Sequence, residues 1–220
     1  MGAAPLSDGG RYNPTTNSWT PVTSAAPGVR RDHSAVWTGS EMIVWGGVIP
    51  NGTSNDGWRY NPTSNNWTAV TTTGAPAPRG YHTAVWTGSE LIVWGGWNGT
   101  IVMPDGGRYN PTSNSWTAVT TTGAPIARDL HSAVWTGSEM IVWGGWIESP
   151  PFLNDGGRYN PTSNSWTALN LAGAPAARRG HSAVWTGTQM IIWGGTNTGV
   201  LFNDTFSYSP GRAMILYQRP

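Results

Sequence analysis

The sequence predicts an all-β fold of repeated four-stranded antiparallel blades, about four and a half of them per chain. Two recurring phrases and a composition rich in turn formers predict it. The phrase R-Y-N-P-T-[ST]-N-[SN]-W-T places a tyrosine at Tyr12, Tyr60, Tyr109 and Tyr159, with a degraded fifth copy at Tyr208. The phrase H-[ST]-A-V-W-T-G starts at His33, His82, His131 and His181. Both recur about every 49 or 50 residues, a period at which one repeat is one sheet that needs its neighbours to bury its faces. Between the phrases, 30 glycines and 17 prolines punctuate short apolar runs, the pattern of many short strands joined by tight turns. No segment requires a helix.

Each element can be read in order from the second complete unit. His82-Thr83-Ala84-Val85-Trp86-Thr87 is a β-branched and aromatic run that stops at Gly88-Ser89, a turn signal. Leu91-Ile92-Val93-Trp94 is apolar throughout and closes on Gly95-Gly96. A strand without polar alternation is buried on both faces, as an inner strand between neighbouring sheets must be. A loop leads to Gly106-Gly107-Arg108-Tyr109-Asn110, and Pro111-Thr112-Ser113-Asn114 then turns the chain into Trp116-Thr117-Ala118-Val119. Pro111 presets φ for that turn and Asn114 tolerates a left-handed conformation. The four strands are called A to D from the inside outwards. The expected organisation is a flexible terminus over residues 1–7 and one repeat domain over 8–220. That domain comprises an outer C–D pair at 8–23 and four units at about 30–71, 79–120, 128–170 and 178–218.

An apolar strand closed by Gly-Gly, followed by a tyrosine and a tryptophan with six residues between them in the turn hairpin, resembles the kelch repeat. It occurs as Trp45-Gly46-Gly47 with Tyr60 and Trp67, as Trp94-Gly95-Gly96 with Tyr109 and Trp116, and as Trp143-Gly144-Gly145 with Tyr159 and Trp166. The last copy keeps Trp193-Gly194-Gly195 and Tyr208, but its outer strand reads Ala213-Met214-Ile215-Leu216-Tyr217 and lacks the tryptophan. The resemblance runs from about residue 8 onward and implies a β-propeller. It also implies that strand A lines the central channel and that the Tyr and Trp pack between blades. It does not by itself imply a function, because kelch domains include binding modules and a minority of enzymes.

Composition removes several function classes. The net charge is +1 and only 10% of residues are charged, so there is no electrostatic case for nucleic acid or an anionic membrane. All 12 basic residues are arginine, and there is no cysteine, which excludes disulfides and thiolate metal sites. No apolar run approaches the length of a bilayer span. The first residues show no basic region followed by an apolar run, so no signal peptide is visible and the compartment stays open.

Candidate chemistry sits on one rim. The short A–B and C–D turns share one face, while the longer B–C and D–A connections share the other. The B–C loops are where the copies diverge, and they hold Trp97, Trp146, Ile147, Glu148 and Phe152, which the repeat does not demand. Variable aromatic loops on a rigid ring are a recognition layout; drift after duplication is the plainer reading. The motif R-x-x-H, as Arg30/His33, Arg79/His82, Arg128/His131 and Arg178/His181, starts every strand A on that rim. Four histidines converging on an axis would suit a divalent metal such as zinc with an open position for water. The alternative is a packing role, with the imidazoles turned between blades. Asp8, Asp56, Asp105, Asp155 and Asp204 recur before strand C, and Arg11, Arg59, Arg108 and Arg158 follow the first four by three residues; these read as structural pairs. Glu41, Glu90 and Glu139 read as solvated turn residues. Outside repeat positions the acids are Asp32, Asp129 and Glu148, too few and too scattered for a carboxylate dyad.

The primary expectation is a binding module for a protein or carbohydrate. Trp97, Trp146, Ile147 and Phe152 would be its apolar anchors, and Arg30, Arg79, Arg128 and Arg178 its polar contacts, with no cofactor required. The alternative is a metal-dependent ester or phosphoester hydrolase on His33, His82, His131 and His181. The half blade at 8–23 has no evident A–B partner: it could complete the last blade by displacing residues 203–220, but a homo-oligomer that completes the ring or a piece of a larger propeller is favoured over a lone closed four-bladed ring.

Overall fold

The computed structural model describes residues 7–23, 27–148, 151–210 and 214–217. Residues 1–6 of the expected flexible terminus, Ala213 of the expected last strand, and residues 218–220 lie outside them. Every regular element described is a strand, and no helix is long and apolar enough to cross a membrane.

Four sheets follow one another along the chain, each with strand order A-B-C-D. Blade 1 comprises Ser34–Trp37, Met42–Trp45, Gly57–Asn61 and Asn66–Val70. Blade 2 comprises Thr83–Trp86, Leu91–Trp94, Gly106–Asn110 and Ser115–Val119. Blade 3 comprises Ser132–Trp135, Met140–Trp143, Gly156–Asn160 and Ser165–Ala168. Blade 4 comprises Ser182–Trp185, Met190–Trp193, Thr205–Tyr208 and Ile215–Tyr217. The pairing is antiparallel throughout, with Leu91 opposite Trp86 on one side and Tyr109 on the other, as in the sister blades. A separate hairpin, Gly10–Asn13 with Ser18–Pro21, forms a two-stranded sheet.

The period of two explains the packing. In strands A and B of blade 2, Val85, Ile92 and Trp94 face blade 3 and meet Met140, Val142, Tyr159 and Trp166 there. Ala84, Trp86, Leu91 and Val93 face blade 1 and pack with Ile43, Trp45 and Val70. The same division recurs between blades 3 and 4. Trp45, Trp94 and Trp143 are fully buried in these seams. The inner strands are apolar on both faces because a blade has a neighbour on both sides. The C–D turns form as expected, with Asn65, Asn114 and Asn164 at φ of 54°, 47° and 47° and each accepting a hydrogen bond from the tyrosine five residues earlier.

The charged framework is wired differently from the sequence expectation. Asp56, Asp105, Asp155 and Asp204 pair with the R-x-x-H arginines, and not with arginines three residues on. Arg30 is bidentate to Asp56 at 2.9 and 3.1 Å, Arg79 reaches Asp105 at 2.8 Å and Arg128 reaches Asp155 at 2.9 Å, while Arg178 is bidentate to Asp204. Arg59, Arg108 and Arg158 instead face Glu41, Glu90 and Glu139 at 3.7, 3.8 and 3.3 Å, so those glutamates are half-buried ion-pair partners and not free turn residues. Arg59 also donates to the Pro111 carbonyl of the next blade at 2.8 Å. Neighbouring blades supply partners that spacing along the chain cannot reveal.

Candidate functional site

The rim site is built by a bridge between the D–A and B–C connections of each blade. The residue after the R-x-x-H arginine pairs with the residue after Gly-Gly: Arg31 with Val48, Gly80 with Trp97, Asp129 with Trp146 and Arg179 with Thr196. This approach depends on the glycines. A Cβ at Gly96, where φ is +98°, would lie 2.6 Å from the Gly80 carbonyl oxygen. The next slot, held by Asp32, Tyr81, Leu130 and Gly180, is left-handed in every copy, with φ of 54°, 56°, 52° and 63°. Its backbone links the blades around the axis. Tyr81 N donates to Asp32 O at 3.0 Å, Leu130 N to Tyr81 O at 3.2 Å and Gly180 N to Leu130 O at 3.1 Å. A left-handed non-glycine residue costs about 1 kcal/mol or more, and these interblade bonds hold it.

Trp97 and Trp146 come together in this arrangement. They line one open cup of about 570 Å³ with Tyr81, Leu130, Gly180, Thr196, Arg31, Asp129 and Arg179, a volume within the range of ligand pockets. The Tyr81 and Trp97 rings are 6.5 Å apart. Arg31 donates to the Tyr81 hydroxyl at 2.6 Å and pairs with Asp32. The Arg179 guanidinium lies 5.8 Å from the Trp146 ring centre and 5.6 Å from that of Phe152. Phe152 therefore supports the cup from behind through its bridge to Trp146, and Ile147 is half-buried beside it, outside the lining. Asp129 is buried, with one carboxylate oxygen lacking a hydrogen-bond partner among the described residues. Burial pushes its pKa up to about 6, against the pull of Arg179.

The other sequence candidates have structural positions. Arg79, Arg128 and Arg178 are fully buried and Arg30 nearly so. Each also donates to the carbonyl of the first glycine in its own blade, Gly46, Gly95, Gly144 and Gly194, at 2.9, 3.0, 3.0 and 3.0 Å. They tie the D–A connection to the Gly-Gly corner, and their burial leaves no guanidinium exposed on the rim. The four histidines border a recess at the axis, but three of them turn into the seams. His82 Nε2 bonds Ser34 Oγ at 2.9 Å, His131 Nε2 bonds Thr83 Oγ1 at 2.7 Å and His181 Nε2 bonds Ser132 Oγ at 2.8 Å. Each ring lies edge-on to the strand B tryptophan of the preceding blade. Burial, reinforced by the neighbouring arginine, pushes His82 down to about 3 and His181 to about 4, and holds His131 well below its ordinary value. Among the described residues no three of His, Asp and Glu come together as a metal-holding group.

The sequence reading passed over Tyr81, Arg31 and Arg179. Their signal lay inside R-x-x-H itself: the two x positions read Arg-Asp, Gly-Tyr, Asp-Leu and Arg-Gly in repeats otherwise nearly identical.

The family follows from comparison with known sequence families. The model for the Attractin/LZTR1 β-propeller matches residues 3–197. This chain belongs to that family. Membership fits the kelch-type blades and makes the chain a propeller module. No curated protein matches it. In this Attractin/LZTR1-type propeller, the rim cup combines an aromatic lining with the unpartnered Asp129 carboxylate oxygen.

Proposed function

We propose that the chain is a protein-binding module that receives an extended segment of a partner in the rim cup. One observation carries the reading: the cup is lined by the positions at which near-identical repeats differ. Val48, Trp97, Trp146 and Thr196 occupy one slot, and Arg31, Gly80, Asp129 and Arg179 another. Repeats held alike by packing need not vary there, and variation on a rigid frame is what recognition uses. Trp97, Trp146 and Tyr81 offer flat apolar faces, and Arg31 and Arg179 offer donors that would favour carboxylates or carbonyls on the incoming segment. Ile147 and Phe152 back the anchors.

The test is selection of peptides from a displayed random library on the purified protein, followed by binding to a Trp97→Ala/Trp146→Ala variant. Both rings are half-exposed, so the variant should keep its circular dichroism and lose the selected peptides by about a hundredfold or more. Equal affinity would refute the cup as the contact site. Failure to select peptides, with saccharide binding on a glycan array lost in the same variant, would replace protein with carbohydrate.

A further inference from the structure

The seams between blades repeat the same contacts three times, and the two ends of the arc carry the unsatisfied halves of one more. At each seam an imidazole bonds the hydroxyl that heads strand A of the preceding blade and abuts that blade's strand B tryptophan, with ring centres 5.0–5.3 Å apart. The second glycine of that blade donates to the carbonyl of the next arginine: Gly47 to Arg79 at 2.8 Å, Gly96 to Arg128 at 2.9 Å and Gly145 to Arg178 at 2.9 Å. Continued past blade 4, the series calls on the Ser182 hydroxyl, Trp193 and the Gly195 amide. Continued before blade 1, it calls on His33 and the Arg30 carbonyl. Among the described residues none of these four polar groups has a hydrogen-bond partner. Trp193 is 54% exposed where Trp45, Trp94 and Trp143 are buried, and Trp37 at the other end is also 54% exposed.

The hairpin Gly10–Pro21 sits where the outer strands of a blade preceding blade 1 belong. Trp67 Nε1 donates to Thr23 O at 3.2 Å, as Trp116 does to Thr71 O and Trp166 to Thr120 O at 2.9 Å. The inner half of that blade is an open cleft bordered by Asp8, Gly10, Val22, His33, Met42 and Trp67.

We propose that two copies of the chain join head to tail through this cleft. Strands A and B of blade 4 in one copy enter it, and the hairpin of the other copy becomes their outer strands. Ser182 then meets His33, Trp193 meets His33 and Trp67, and Arg178 meets Asp8 in place of Asp204. The strands that give way, Thr205–Tyr208 and Ile215–Tyr217, are those that have left the repeat: Ser207 stands where Arg59, Arg108 and Arg158 stand. The hairpin retains the full phrase, yet leaves Tyr12 and Trp19 48% and 69% exposed while Tyr60, Tyr109 and Tyr159 are buried. In the joint blade those rings face blade 3 of the other copy. Among the described residues the two end faces are uncovered and carry complementary halves of one seam, which a second copy would satisfy; two such contacts close with twofold symmetry.

A chain without cysteine allows a direct test. Light scattering should give twice the 23.5 kDa chain mass. A chain carrying both His33→Cys and Ser182→Cys, treated with a short bis-maleimide, should yield covalent dimers on a denaturing gel. Trp193→Glu changes a side chain already exposed in the single chain; it should keep the circular dichroism and weaken association by about thirtyfold or more. A monomer with an internal cross-link, showing the chain closing on itself, would overturn the proposal. So would a monomer without any cross-link, a ladder extending beyond two chains, or a Trp193→Glu protein that still dimerises.

Discussion

Acidification from pH 7 to pH 5 should destabilise the fold through its seams. His82 is buried and His181 half-buried, and both are neutral, with folded pKa values of about 3 and about 4 against an ordinary 6.5. Between the folded and unfolded values the unfolded chain binds more protons. The stability contributed by the neutral ring is therefore complete above pH 6.5 and is lost as pH falls below it. At about 1.4 kcal/mol per pH unit, each ring costs about 2 kcal/mol at pH 5, and His131 adds to the loss with the same sign. Asp129 opposes them: its carboxyl, raised to about 6 from 3.8, gains a proton more readily folded than unfolded and returns about 1 kcal/mol over the same interval. The net loss from His82, His181 and Asp129 is about 2–3 kcal/mol before His131 is added, enough to lower the urea midpoint by about 1 M. The assay is urea unfolding at several pH values in the intact chain and in His181→Gln. The variant should start less stable and show a pH dependence shallower by about 2 kcal/mol. A midpoint flat from pH 7 to pH 5, or an unchanged slope in the variant, would refute the seam account.

Two further outcomes test the corner geometry and the cup. Gly96→Ala places a Cβ 2.6 Å from the Gly80 carbonyl and 2.8 Å from His82 Cβ, whereas Gly88, at a similar φ of +101°, has open space around it. Thermal unfolding should show Gly96→Ala costing about 3 kcal/mol or more and Gly88→Ala about 1 kcal/mol. Asp129→Asn should stabilise the protein at pH 7 by up to about 3 kcal/mol, because the folded carboxylate loses stability as pH rises from 3.8 to about 6. That gain should vanish below pH 4, and an equal gain at both pH values would show that the carboxylate charge is not its source.

The blades were legible because their signals are local. Period-two apolar strands, Gly-Gly corners and Pro-Thr-Ser-Asn turns act within a few residues, and the spacing of two phrases set the repeat length. The rim was legible for a related reason, since alternating strand direction puts the B–C and D–A connections on one face. Trp97 and Trp146 could be picked out there as residues the repeat does not require. Partnership across space was not legible. Asp105 lies three residues from Arg108 in sequence, yet it pairs with Arg79, because strands A, B and C fold back to bring residues 26 apart into one corner. His131 faces a threonine 48 residues away on another blade, and nothing within its own motif says whether the ring turns to the axis or to the seam. Backbone preferences and hydrophobic period along the chain were enough to specify the strands, the turns and the repeat. It took the packing of the blades to make the arginines buried ties and three histidines seam pins, and to bring Tyr81, Trp97, Trp146 and Asp129 into one cup. Those roles depend on which blade faces which, and that is a property of the packed arc rather than of any single repeat.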